Sequence, residues 1–373
     1  MRKLPLCLLL AALGLLSLSP RCRAQSLSFD SDRWDVHARE SKVVDYLGRR
    51  SLLLKGGEAT LKDSRFMDGV IEFDMAFSPT RTFMGVVWRE QDFDNCEHFY
   101  IRPHQSGNPD ANQYEPVFNG MDSWQLYYGE AYSAPVKYDF DQWVHFKIVV
   151  SGRQAEIYIK DMETPALFVA EQKREPKAGV VGLRASSLAP AYYSNFSLTP
   201  MDRPPALKGK PKATQPAPAG MVMAWAVSDA FDGKTLEKKY QLAPADTEKL
   251  KWQRLGAEAT GIANLARLRG VTDAANTVFA RLRIHSDREQ VKRLRFGFSD
   301  AVKAYFNGRL IYGGSDIYAS RDYRFLGTVG LFDELYLPLR KGDNELLLAV
   351  TENFGGWGVE AAFDEMDGIS LKD

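Results

Sequence analysis

The sequence predicts an all-β protein of two β-sandwich (jelly-roll) domains joined by a Pro-rich linker. Three observations carry that expectation. Short period-two alternations of apolar and polar residues recur along the chain, punctuated by Gly, Pro, Asp and Ser. No stretch longer than about ten residues carries a helical stripe. Residues 200–220, PMDRPPALKGKPKATQPAPAG, hold six Pro among small or charged residues. Such a segment has nothing to bury, and Pro cannot join a ladder.

The chain of 373 residues opens with Arg2 and Lys3, an apolar run from Leu4 to Leu18, and Cys22-Arg23-Ala24 before Gln25. That layout predicts a signal peptide over residues 1–24, hence a secreted or periplasmic protein. The apolar run is short for a membrane span, so no membrane insertion is expected after cleavage. Residues 25–199 form the first expected sandwich. GVIEFDMAF sets Ile71, Phe73 and Met75 against Val70, Glu72 and Asp74. FMGVVWRE, EHFYIRP, HFKIVV, AEIYIK and AGVVGLRAS follow, with a hairpin turn at Ser151-Gly152-Arg153. Residues 200–222 are the linker. Residues 223–373 form the second sandwich: NTVFARLRIHS and RLRFGFSD alternate, Asn307-Gly308 marks a hairpin, and a turn falls at Gly342-Asp343-Asn344 before GGWGVEAAF.

Hydrophobic residues at 45% and charged residues at 26% are ordinary for a globular protein. Without residues 1–24 the chain has 44 basic against 48 acidic residues. A slightly acidic chain argues against nucleic acid as a partner. Only Cys96 then remains, so no intramolecular disulfide forms and the cores must hold without staples.

The phrases FMDGVIEFDMAF, FMGVVWREQDFDNCEHFYIR, DQWVHFKIVVSGRQAEIYIKD and AGVVGLRASSLAPAYYSNFSL give residues 28–199 a resemblance to the concanavalin A-like lectin/glucanase superfamily, in its laminin-G-like or 3-keto-disaccharide hydrolase-like branch. VKAYFNGRLIY, LPLRKGDNELLLAV and NFGGWGVEAAF resemble the galactose-binding-like jelly roll. The resemblance implies the two folds and leaves lectins, hydrolases and adhesion modules open. The paired glutamates of the glucanases would need a second acid after Glu72-Phe73-Asp74, where Ala76 and Phe77 stand. No catalytic residue is therefore assigned.

His37, His98, His104, His145 and His285 are scattered without HxH or HExxH spacing. No metal site and no cofactor are expected, although His98 and His104 could face one cavity with Glu97 or Asp110. The richest segment is RPHQSGNPDANQYEPVFNGMDSWQLYYG, residues 102–129, which reads as a long loop. Sugars present hydroxyls and an apolar ring face, so their sites need aromatic platforms beside planar donors and acceptors. The candidate ligand-binding residues are Arg102, His104, Gln113, Glu115, Asn119, Trp124 and Tyr127. The alternative is a packed loop whose Tyr and Trp are core plugs. The sequence thus reads as an exported, lectin-like carbohydrate-binding protein taking an oligo- or polysaccharide. A glycoside- or keto-glycoside-processing enzyme and a structural or adhesion module without small ligand stand as alternatives.

Overall fold

A computed structural model describes residues 25–212, 217–322 and 326–372; the segment read as a signal peptide lies outside them. Apart from four short 3-10 turns, regular structure among the described residues is strand. Among them no helix is long and apolar enough to cross a membrane.

In the first sandwich, strand alternation sends Ile71, Phe73 and Met75 inward, all at 0% exposure. Twelve strands form one continuous ladder that folds over on itself. The Arg49–Leu61 strand makes the fold: residues 52–54 pair with Ala191–Pro200, and residues 57–60 pair with Val180–Ala185. Between them, Gly56 has φ +69°, and a Cβ on Gly57 would lie 2.0 Å from the His37 carbonyl oxygen. Only glycine fits that crossing. One layer runs through Gln154–Ile159, Val144–Ser151, Gly69–Ala76 and Ala191–Pro200. The other runs through Val180–Ala185, Met84–Asp92, Asn95–Ile101 and Asn112–Val117. Phe73 and Phe146 from the first layer share a core with Trp88 and Phe99 from the second. Each such buried side chain contributes roughly 1.5–3 kcal/mol of transfer free energy.

The second sandwich packs a seven-stranded sheet against a four-stranded one. Val278, Ala280, Leu282 and Ile284 of the larger sheet meet Leu294, Phe296 and Phe298 of the smaller. Trp357 is fully buried and donates from Nε1 to the Val350 carbonyl oxygen at 3.1 Å, which seals this core. Ser151 pairs with Gln154 across Gly152-Arg153. Phe306 pairs with Arg309 across Asn307 (φ 48°) and Gly308 (φ 82°), the backbone of a type I′ turn.

Two local expectations differ. Gly342-Asp343-Asn344 is not the turn; it starts the Gly342–Thr351 strand. Asp333–Leu339 before it belongs to the other sheet, so the chain crosses between layers at Arg340 and Lys341. The expected loop 102–129 contains the Asn112–Val117 strand at the end of its layer. Both faces of that strand are buried, which erases alternation, and an edge strand tolerates Pro116. The segment after Pro200 follows the first sandwich: Ser151 Oγ donates to the Pro205 carbonyl oxygen and Lys208 N–H to Glu156 Oε1.

Candidate functional site

The Asn95–Ile101 strand alternates Phe99 and Ile101 into the core with His98 and Tyr100 onto the outer face. Register then builds the site. His98 stands opposite Glu115, and Tyr100 opposite both Gly85 and Gln113, while Arg184 stands opposite both Gly85 and Glu58. His98 and Tyr100, two residues apart on one face, stack at 5.0 Å. Arg102 continues that face, its guanidinium 4.9 Å from the Tyr100 ring centroid. It donates to Tyr100 Oη at 2.7 Å, to the Asp110 carbonyl oxygen at 2.9 Å and to Gln113 Oε1.

Over this face lies a cavity of about 680 Å³, within the range of small-molecule sites. The first sandwich supplies its floor and one wall; Tyr318, Leu326 and Phe354 come from the second. Its mouth carries exposed aromatic rings from both: Phe93 at 55%, Tyr318 at 48% and Phe354 at 62% exposure. Phe354 meets Trp124 edge-on at 5.7 Å, and the Arg184 guanidinium lies 4.4 Å from the Phe93 ring centroid.

The floor is polar. His98, Glu115 and Asp122 bring one potential ligand atom each within 4.8 Å of one another. Burial holds His98 down to about 3 and pushes Glu115 up to about 7. Asp122 rises to about 6, by desolvation first and then by the nearby Glu115. Its side chain keeps solvent-accessible surface while protein surrounds it, as on a cavity floor. Glu115 Oε2 accepts from Ser123 N–H at 3.0 Å. Burial also lowers His104, which meets Phe83 edge-on and whose buried Nδ1 has no hydrogen-bond partner. Arg184 is held by Glu58 at 2.7 Å.

Of the sequence-derived candidates, Arg102, His104, Glu115 and Trp124 line this cavity. Gln113, Asn119 and Tyr127 do not. Gln113 donates from Nε2 to the Trp124 and Tyr127 carbonyl oxygens, tying strand to loop. Asn119 donates to the Ala266 carbonyl oxygen at 2.7 Å, in the second sandwich. Tyr127 is 1% exposed, packs with Leu126, Ile262 and Val329, and donates from its hydroxyl to Glu258. The segment after Val117 is thus a docking surface: Phe118 and Met121 pack on the second core, and Gln125 exchanges hydrogen bonds with Leu326 and Ser299. His98, His104 and Asp110 share the cavity, whereas Glu97 points inward and accepts from Tyr114 Oη at 2.6 Å. In the second sandwich, Arg321 is paired with Asp316 and Asp333. Sequence reasoning missed Asp122, Arg184, Phe93 and Phe354. The aromatics carried a weak signal, being set among polar or Gly residues in DFDN and NFGGWG. Asp122 and Arg184 carried none without the pairing.

No family model matches the chain. No curated protein matches it either. Solved structures do. The carbohydrate-binding module CBM66 from Bacillus subtilis is 17% identical over 44% of this chain and 93% of its own, with a TM-score of 0.34. A Bacillus subtilis protein of unknown function with a galectin-like fold is 15% identical over 44% of this chain and 87% of its own, at 0.32. A glycosidic hydrolase is 12% identical over 47% of this chain and 94% of its own, at 0.34. Likeness at this level says nothing about the cavity.

Proposed function

We propose that the protein binds carbohydrate in the cavity between its two sandwiches. The observation that carries this reading is one concave site offering exposed aromatic rings from both sandwiches above a floor of polar and charged side chains. Ring faces of a saccharide stack on Phe93, Phe354 and Trp124, and its hydroxyls meet Arg102, His104 and Asp122. The amino-terminal segment motivates export; a mature chain that begins at Gln25 by mass spectrometry tests it. The binding reading is tested by a glycan-array screen of the mature protein, followed by calorimetry on the best saccharide. Loss of one aromatic contact in Phe93→Ala should cost about 1–3 kcal/mol, roughly 5- to 150-fold in Kd. An array without binders, or a variant that binds like wild type, refutes it.

A second reading has its own support. Glu115 and Asp122, both raised toward neutrality beside a neutral His98, are the kind of groups that exchange protons in sugar-processing enzymes. Time-resolved release of reducing sugar by wild-type protein, abolished in Glu115→Gln, would favour an enzyme over a binder. The adhesion reading has no cavity chemistry behind it.

A further inference from the structure

We infer that His98, Glu115 and Asp122 form a binding site for a divalent transition cation on the floor of the cavity. The three come from separate places: the Asn95–Ile101 strand, its neighbour Asn112–Val117, and the loop that follows. They converge because His98 and Glu115 are cross-strand partners and the chain turns back over them at Asp122.

The decisive observation is the imidazole. His98 is 8% exposed, and its Nδ1 is buried without a hydrogen-bond partner. That nitrogen stands 3.4 Å from Glu115 Oε1. Without a proton between them, two lone pairs face each other in a buried place, an arrangement that costs energy unless something positive lies between. The spacing suits a metal. Two atoms bound at about 2.1 Å to one tetrahedral cation stand about 3.4 Å apart, and octahedral neighbours about 3.0 Å apart. All three ligand atoms lie within 4.8 Å of one another, so an ion held between His98 and Glu115 is within a small side-chain shift of Asp122.

The surroundings fit as well. Glu115 uses its other oxygen, Oε2, to accept from Ser123 N–H, which fixes the carboxylate as the outer partners of metal ligands do. Of the guanidiniums at the cavity, Arg184 is already engaged by Glu58 and Arg102 by Tyr100, Gln113 and the Asp110 backbone. One imidazole with two carboxylates favours Mn²⁺, Co²⁺ or Zn²⁺ over the all-oxygen shell that calcium takes. Three protein ligands leave at least one position open toward the cavity, where water or a ligand hydroxyl can bind. The site stands whether or not a saccharide fills the remaining volume.

The test uses the full mature protein, stripped with a chelator and dialysed, with no sugar present. Mn²⁺ binding is read by electron paramagnetic resonance, and Zn²⁺ binding by calorimetry. Wild type should bind one ion per chain with either metal. Asp122→Asn keeps shape at a solvent-accessible side chain and should weaken binding at least about tenfold, with an unchanged melting temperature in the absence of metal. His98→Gln should also weaken binding at least about tenfold and reports on the nitrogen ligand; this side chain is buried, so folding of the variant is checked by its metal-free melt. Absence of stoichiometric binding by wild type overturns the proposal. So does binding that neither variant weakens, or binding of calcium with none of Mn²⁺ or Zn²⁺. Because the readout is the ion alone, failure here leaves the carbohydrate reading to its own test.

Discussion

Replacing Tyr127 by alanine separates a sugar platform from a structural plug. Tyr127 is 1% exposed and sits where the two sandwiches meet, its ring among Leu126, Ile262, Val329 and Tyr132. Its hydroxyl donates to Glu258 and accepts from Asn264 Nδ2 at 3.3 Å. Glu258 is also paired with the buried Lys173 at 2.7 Å. Deleting a buried aromatic ring costs about 3–5 kcal/mol, from lost transfer free energy and the cavity left behind. For domains of this size that corresponds to roughly 6–20 °C in Tm. Tyr127→Phe keeps the ring and removes only the hydroxyl, which should cost about 1–2 kcal/mol because two buried partners lose it. Thermal melts by circular dichroism, with calorimetry on a bound saccharide, measure both properties. The expected outcome is a large fall in Tm for the alanine variant, a smaller one for phenylalanine, and saccharide affinity in the folded protein within about twofold of wild type. A Tm within 2 °C of wild type together with a tenfold loss of affinity would refute the interface role and make Tyr127 part of the binding surface.

Further outcomes are expected elsewhere. His145 is raised to about 9 by its hydrogen bonds to Asp74 and then Glu72, so its protonated form stabilises the fold below its unfolded value near 6.5 and that contribution disappears as pH rises through 9. The side chain is 38% exposed, so the effect is about 1 kcal/mol or less; the Tm advantage of wild type over His145→Gln should shrink between pH 6.5 and 9, and a constant difference would count against it. Gly57→Ala places a methyl 2.0 Å from the His37 carbonyl oxygen and should destabilise by about 1–3 kcal/mol in chemical denaturation. Limited proteolysis is expected to cut first within residues 200–222, motivated by their composition, and the two fragments should co-elute in size exclusion because Phe118, Asn119 and Tyr127 bind the second sandwich; cleavage inside residues 60–190 would contradict this.

The fold was legible where one face of a strand is buried and the other wet. Ile71, Phe73 and Met75, or Val278 to Ile284, announce themselves by alternation, and Asn307-Gly308 by the φ it tolerates. Residues 112–117 were not legible as a strand, because core covers one side and loop and cavity groups the other. The site was half legible. His98, Tyr100 and Arg102 could be put on one face from spacing alone, and the cavity does gather them. The meeting of Glu115 with His98 needs the register, and that of Asp122 needs the path of the following loop. Aromatic residues of the segment 102–129 look alike in sequence; Trp124 reaches the cavity and Tyr127 the interface only because a second sandwich packs there. A long-range partner cannot be read from a local pattern.

Whether ligand sits between the sandwiches is decided by a crystal structure of the mature protein with the best saccharide from the array. A sugar ring is expected against Phe93 or Phe354, with hydroxyls within hydrogen-bond distance of Arg102 or Asp122. A saccharide seated instead in the smaller hollow beside Trp34 and Leu52, with the large cavity holding only water, would contradict it.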